Sequence, residues 1–522
     1  MSARSHRLGG LVVPACLVAL ALGAGCARWH ALWTGDEVCE LGREVEGGHA
    51  EPALLEIVEA PRKKAWEAAH GGQLAARPFV RARMNGWPSQ LHVDRATLPV
   101  EPEAFARRVA ADTWRGLDAL HDRENGLPVD HVHLDGAAAE GAVGGVVGDY
   151  ANVTNVGLRM LSIVAAEELG LVDEPGASKR LSLLFHTLDA LERDHGFFFN
   201  YYDTTSLERT SNLLSFVDSS WLIAGLVVVR NRHPELSARA TALIDAMDYG
   251  FFYDRKLGRM THGYFVQRAQ RSRYHYGVLY AESRLGSLIA IGRGQAPAEH
   301  WYRMIRTFHE SCGWQSQPPR GRREKTDVDT RYFGGWYEWG GVRYVPSWGG
   351  SMFEALMPTL VVDEPRLFPA SLGANDAAHV EVQRRFASEQ LGYPVWGMSP
   401  SSKPGTREYG EYGVKPLGAI GYGVGAVTPH AAALAVAVDP ERALTNLQAL
   451  AAHYPVYGEW GFFDAVDPTT GAVATTYLTL DQAMIFVALA NHLADHRIQR
   501  LFESDPIVAG ALPTIAAERF FD

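Results

Sequence analysis

From about residue 102 onward, apolar residues recur every three to four positions, the spacing of helices that bury one face. The pattern predicts helices over 102–121, 151–171, 177–195, 213–232, 236–249, 278–292, 297–310, 349–361, 376–391, 429–438, 439–453 and 479–495, with a further one near 497–510. One position breaks the pattern. In "YAESRLGSLIAIGRG" (280–294) the stripe Val278, Leu285, Ile289 also passes through Glu282. A carboxylate facing a core costs several kcal/mol unless it is paired or neutralised. Either Glu282 lies in the first helical turn and complements the helix dipole, or the stripe faces a pocket and the acid serves chemistry.

The helical pattern repeats. "HGFFFNYYD", "YGFFYD" and "WGFFDAVD" each follow a predicted helix and end in Asp. Their glycines, Gly196, Gly250 and Gly461, fall near multiples of about 53 residues, the size of a two-helix unit. Stacked αα-hairpins bury their faces on one another. Closed into a ring, six of them form an all-α (α/α)6 toroid over 101–522. Residues 26–100, with scattered Pro and Gly, read as a linker and a mostly irregular N-terminal extension.

The first 25 residues read differently. Arg4, His6 and Arg7 precede an apolar run from Leu8 to Leu22, and small residues follow to Cys26. This is the layout of an export signal. "LGAGC" (22–26) resembles a bacterial lipobox, with Leu one place further from Cys than usual. Lipidation at Cys26 would anchor the chain to the cell envelope, facing the periplasm or at the cell surface. Plain secretion is the alternative. Cys39 and Cys312 then remain, either as a disulfide or as two thiols.

Composition narrows the chemistry. The 522 residues are 47% hydrophobic and 21% charged, with net charge −11. That balance is globular and argues against nucleic acid as a partner. The chain has no P-loop, G-x-S-x-G or H-E-x-x-H. No Cys/His cluster has zinc spacing, and "HVHLDG" (131–136) reads as a polar loop. No metal or cofactor is expected.

The loops are aromatic. "YFGGWYEWGGVRYVPSWGG" (332–350) contains Trp336, Trp339 and Trp348, and "FFFNYYD" contains Tyr202 and Asp203. Such rings stack on the C–H faces of sugars while polar groups hold the hydroxyls. Three helices carry an acid beside an apolar stripe near the N-terminal end: Asp218, Glu282 and Glu354. If these ends open on one face of the ring, the acids converge. Glycoside hydrolysis needs two carboxyl groups.

Several ordered segments across 150–495 carry a family resemblance. They are "NYYDTTSL", "SFVDSSWLIAGL", "YAESRLGSLIAIGRGQAPAEHW", "WGGSMFEALMP", "WGMSPSS", "VTPHAA", "YGEWGFFDAVD" and "YLTLDQAMIFVALANHL". Together they resemble the glucoamylase-type family, which includes bacterial endo-β-1,2-glucanases and the transglycosylase domain of cyclic β-1,2-glucan synthases. The resemblance implies an (α/α)6 toroid and a glycoside hydrolase acting on a β-glucan, β-1,2-linked. It assigns Glu282 as general acid. Tyr202, Asp203, Trp336, Trp339, Trp348, Glu354, Trp396 and Asp481 are expected to shape the substrate subsites. The chain departs from the pattern at the second catalytic position. The synthases carry Glu where Pro400 stands, and the glucanases carry Asp near Ser402. Glu408 or Glu411 in "REYGEYG" is then expected as the base of an inverting reaction, with Asp218 as the other candidate. The alternatives are a glycan-binding lipoprotein on a degenerate toroid and an enzyme for another linkage.

Overall fold

The computed structural model describes residues 80–137 and 143–522; the export signal, Cys26, Cys39 and most of the 26–100 extension lie outside these residues. Among these residues, twelve helices build the ring. They are α1 (Pro102–Ala119), α2 (Val153–Glu168), α3 (Glu174–Ala190), α4 (Phe216–Arg232), α5 (Pro234–Ala246), α6 (Arg284–Gly292), α7 (Met352–Leu356), α8 (Leu372–Arg385), α9 (Pro429–Leu434), α10 (Pro440–His453), α11 (Thr479–Leu493) and α12 (Pro506–Ala516).

Six of them, α2, α4, α6, α7, α9 and α11, form the inner ring. Their sequences are apolar nearly all round, as burial on both sides requires. In α2, all residues from Val153 to Ala166 are buried. Packing runs α2 to α4 to α6, then α7 to α9 to α11 and back to α2. Arg284 bridges α6 to α7, donating to the Glu354 and Ala355 carbonyls at 3.1 and 2.6 Å. The closest inner crossing uses two glycines. A Cβ on Gly225 would lie 2.5 Å from the Gly157 carbonyl oxygen, so α2 and α4 meet backbone to backbone.

The outer helices carry an apolar face and a polar one. Their starts follow side-chain capping rules. Glu101 accepts from the Glu103 and Ala104 amides before Pro102, and Asp173 accepts from Gly176 N. The outer helices α3, α5, α8 and α10 pack on the inner helices α2, α4, α7 and α9 that precede them in sequence. These four pairs are the expected hairpins.

The other two inner helices take remote partners: α1 packs on α11, and α12 packs on α6. The predicted helix 297–310 is only Glu299–Arg303. Beyond it the chain turns extended, and Ile305 pairs with Val278. Arg306 holds that turn, donating to the Trp301 and Met304 carbonyls and to Glu518. Glu518 lies just past α12, so one buried ion pair stops the local helix and recruits the distant one.

The repeated G-F-F segments mark the ends of outer helices. After α3 and α10 they form the hairpins Arg193–Asp194/Phe197–Phe198 and Tyr457–Gly458/Gly461–Phe462. After α5 the segment is a short 3-10 turn. Small two- and three-stranded sheets fill the loops. Among them, β1 (His131–Ala137) pairs antiparallel with β2 (Val143–Gly148), so "HVHLDG" is a strand and not the expected loop. No described helix is long and apolar enough to cross a membrane.

Candidate active site

One face of the ring opens into a cleft of about 470 Å³, walled by inner-helix N-termini, β1 and the 401–410 hairpin. Among the described residues, four carboxyl groups line it: Asp130, Asp218, Glu282 and Glu408.

Glu282 does not lie on the predicted helix 278–292. The helix starts at Arg284, and Glu282 sits in the turn before it. The turn forms because residues 278–279 are held by the strand-like pairing to Ile305. The side chain is partly open to the cleft, and no ion pair holds it among the described residues. Desolvation by the surrounding protein pushes its pKa up to about 7, and the negative charge of Glu354 adds to the rise. Buried carboxyl groups behave this way because the low-dielectric surroundings disfavour the charged form.

Asp218 occupies the first turn of α4. It accepts hydrogen bonds from Thr154 Oγ1 at 2.7 Å and Ser215 Oγ at 2.5 Å. Glu408 stands on the loop of the 401–410 hairpin. Lys403 Nζ donates to it at 2.9 Å and holds its pKa below the ordinary carboxylate value. Arg407 pairs with Asp135 of β1, so this loop reaches across the cleft. Asp130 was not singled out from the sequence. It precedes β1, lies 2.8 Å from His131 Nδ1, and its position depends on long-range pairing of β1 with Thr476–Leu478.

The other expected residues are placed elsewhere. Glu354 faces inward, completing a capping box with Ser351 at the start of α7 and accepting from the Gly349 amide. It acts on Glu282 through its charge. Glu411 does not line the cleft. Asp481 is buried beside His430 and Asp464 beneath the floor.

The anticipated aromatic subsite residues do not line this cleft. The Tyr202 hydroxyl donates to the Glu192 carbonyl, and Asp203 accepts from the Thr205 and Ser206 amides, closing a turn. Trp336 lies against Gly321 and under Arg343. Trp339 packs on Phe386. Trp348 is buried with Phe308 and Cys312, a disulfide-bonded cysteine. Trp396 is buried, with its backbone bound to Asn446. The rings that do line the cleft are Tyr150, Tyr201, Trp221, Phe353 and Tyr409, with His131 and His133. Period-two spacing of the two histidines was the available signal: on a strand they share a face, and their rings lie 4.5 Å apart.

Residues 327–506 match the family model described as "Putative glucoamylase". Over this segment, about a third of the chain, the sequence is similar to that family. The chain is also 29% identical over 331 residues to the cyclic β-(1,2)-glucan synthase NdvB of Rhizobium meliloti. That match covers 58% of this chain and 10% of the synthase, so the chain spans about a tenth of the length of that relative. Among solved structures, an endo-β-1,2-glucanase from Chitinophaga pinensis superposes with a TM-score of 0.61 at 17% identity, over 80% of this chain and 98% of that one. A β-1,2-glucanase from Parabacteroides distasonis gives 0.63 at 17% identity, over 80% and 61%. These structures share the (α/α)6 fold with this chain.

Proposed function

We propose that this protein is a glycoside hydrolase acting on a β-glucan, β-1,2-linked. The observation that carries the proposal is the pairing in one cleft of Glu282, with its pKa pushed up to about 7, and Glu408, held ionised by Lys403. A carboxyl group with a raised pKa suits a general acid, and an ionised one suits a base. The names of the glucan synthase and glucanases give the substrate class.

In the inverting reaction, Glu282 gives its proton to the glycosidic oxygen as the C–O bond breaks. Glu408 takes a proton from the water that attacks the anomeric carbon on the opposite face. Asp218 is the weaker candidate because Thr154 and Ser215 already occupy its oxygens. Export and lipid attachment at Cys26 belong to the same proposal and rest on the N-terminal sequence.

The test is reducing-end release from a glycan panel that includes β-1,2-glucan. Glu282→Gln and Glu408→Gln should each lose activity by at least about a hundredfold, the usual scale for one acid–base group. Binding of a glycan without cleavage by the wild type would instead favour the lectin-like reading, which Pro400 and Ser402 at the family's acidic positions support. Activity that survives Glu282→Gln would overturn the assignment of the acid.

A further inference from the structure

Below the cleft floor, His430 in the first turn of α9, Asp481 in the first turn of α11 and Asp464 in the loop between α10 and α11 converge. Each is about 1% exposed. One donor atom from each lies within 4.8 Å of the others. His430 Nδ1 is 2.8 Å from Asp481 Oδ2, yet the two do not align as a hydrogen bond. No donor is aligned on Asp464 Oδ1, and its carboxyl group lies against that of Asp481. Three buried lone-pair atoms, none in an aligned hydrogen bond, are costly beside one another unless something positive lies between them.

We propose that His430, Asp464 and Asp481 form a structural site for a divalent transition cation of the zinc class. One imidazole nitrogen and two carboxylate oxygens are a borderline donor set that suits zinc, whereas calcium takes six or more oxygens. Two carboxylates and a neutral imidazole balance a dication. Tetrahedral coordination at about 2.1 Å holds donor atoms about 3.4 Å apart, so His430 Nδ1 and Asp481 Oδ2 would part slightly from 2.8 Å, any wider pair would close in, and one position would be left for water.

The site would brace the cleft. Asp464 Oδ2 accepts from the Ser402 amide at 2.6 Å, and Ser402 lines the cleft on the same hairpin that presents Glu408. The ion would therefore tie α9, α11 and this hairpin together without touching substrate. The three ligands are scattered over 430–481, so no local metal motif announces them.

The test loads the full chain with Zn²⁺, passes it over chelating resin and measures bound metal by mass spectrometry. About one zinc per chain with N/O ligands and no sulfur in X-ray absorption is expected. Asp481→Asn should lower zinc retention at least about tenfold, while the H131Q/H133Q variant retains it. A wild type that keeps no zinc overturns the proposal, as does zinc lost from H131Q/H133Q but kept by D481N. If D481N does not fold, melting of the wild type decides: Tm should fall with EDTA and recover with Zn²⁺, and an unchanged Tm overturns the site. Metal content is read without any glycan, so this result stands apart from the hydrolase reading.

Discussion

Replacing Glu282 by Gln should abolish activity and, above neutral pH, stabilise the protein. The carboxyl group has an ordinary value of 4.5 and is raised to about 7 in the folded chain. The folded state therefore binds more protons than the unfolded state between these values. Stability falls as pH rises across that window, because its slope follows the protons bound by the unfolded state minus those bound by the folded state. Below pH 4.5 the protonated acid resembles the neutral amide, and wild type and variant should match. Above pH 7 the wild type carries a charge that the fold disfavours. A shift of about 2.5 units is worth roughly 3.4 kcal/mol at 1.36 kcal/mol per unit, and partial solvent screening at the open cleft reduces this to about 2 kcal/mol. With about 2.1 cal/mol/K of unfolding entropy per residue, a chain of this length should gain about 2 °C in Tm. Scanning calorimetry at pH 4 and pH 8 checks this. Equal melting at pH 8, or a gap that does not close at pH 4, would refute the reasoning. Stabilisation by removing a functional acid is the expected trade between activity and stability.

Three other outcomes follow from the same geometry. On a β-1,2-glucan substrate, kcat/KM should fall as pH rises through about 7, because Glu282 must be protonated to act, and should hold well into the acid range, because Lys403 keeps Glu408 ionised; a pH–rate profile reads both limbs. Arg284→Met should cost about 3–5 kcal/mol, because it leaves Glu364 buried without the paired bonds at 2.8 and 2.6 Å and breaks the bridge from α6 to α7; urea unfolding measures it. Gly292→Ala should destabilise by about 1–3 kcal/mol, because the new Cβ would lie 1.8 Å from the Ile507 carbonyl oxygen and push α12 off α6; thermal melting reports it.

The sequence by itself determined the helices, most of their order and the acids at their starts. These are local properties. Apolar spacing, Pro at N1 and caps such as Glu101 and Asp173 act within one or two turns, so they are visible in a short window. Glu282 and Asp218 were legible as candidate acids for the same reason, whereas Glu408 was expected only because Pro400 and Ser402 stand at the family's acidic positions.

What only the tertiary structure decided rests on long-range contacts. The partner of α6 is α12 because buried Arg306 finds Glu518, a pairing that no periodicity encodes. The aromatic loops at 332–350 looked like sugar platforms, but their rings do not line the cleft, since composition cannot tell which way a loop faces. Asp130 and the two histidines entered the cleft through the pairing of β1 with residues 476–478. The raised pKa of Glu282 depends on the mass of protein around it and on Glu354, which come together only when the ring closes. Residue types are written locally, whereas burial and convergence are properties of the closed ring.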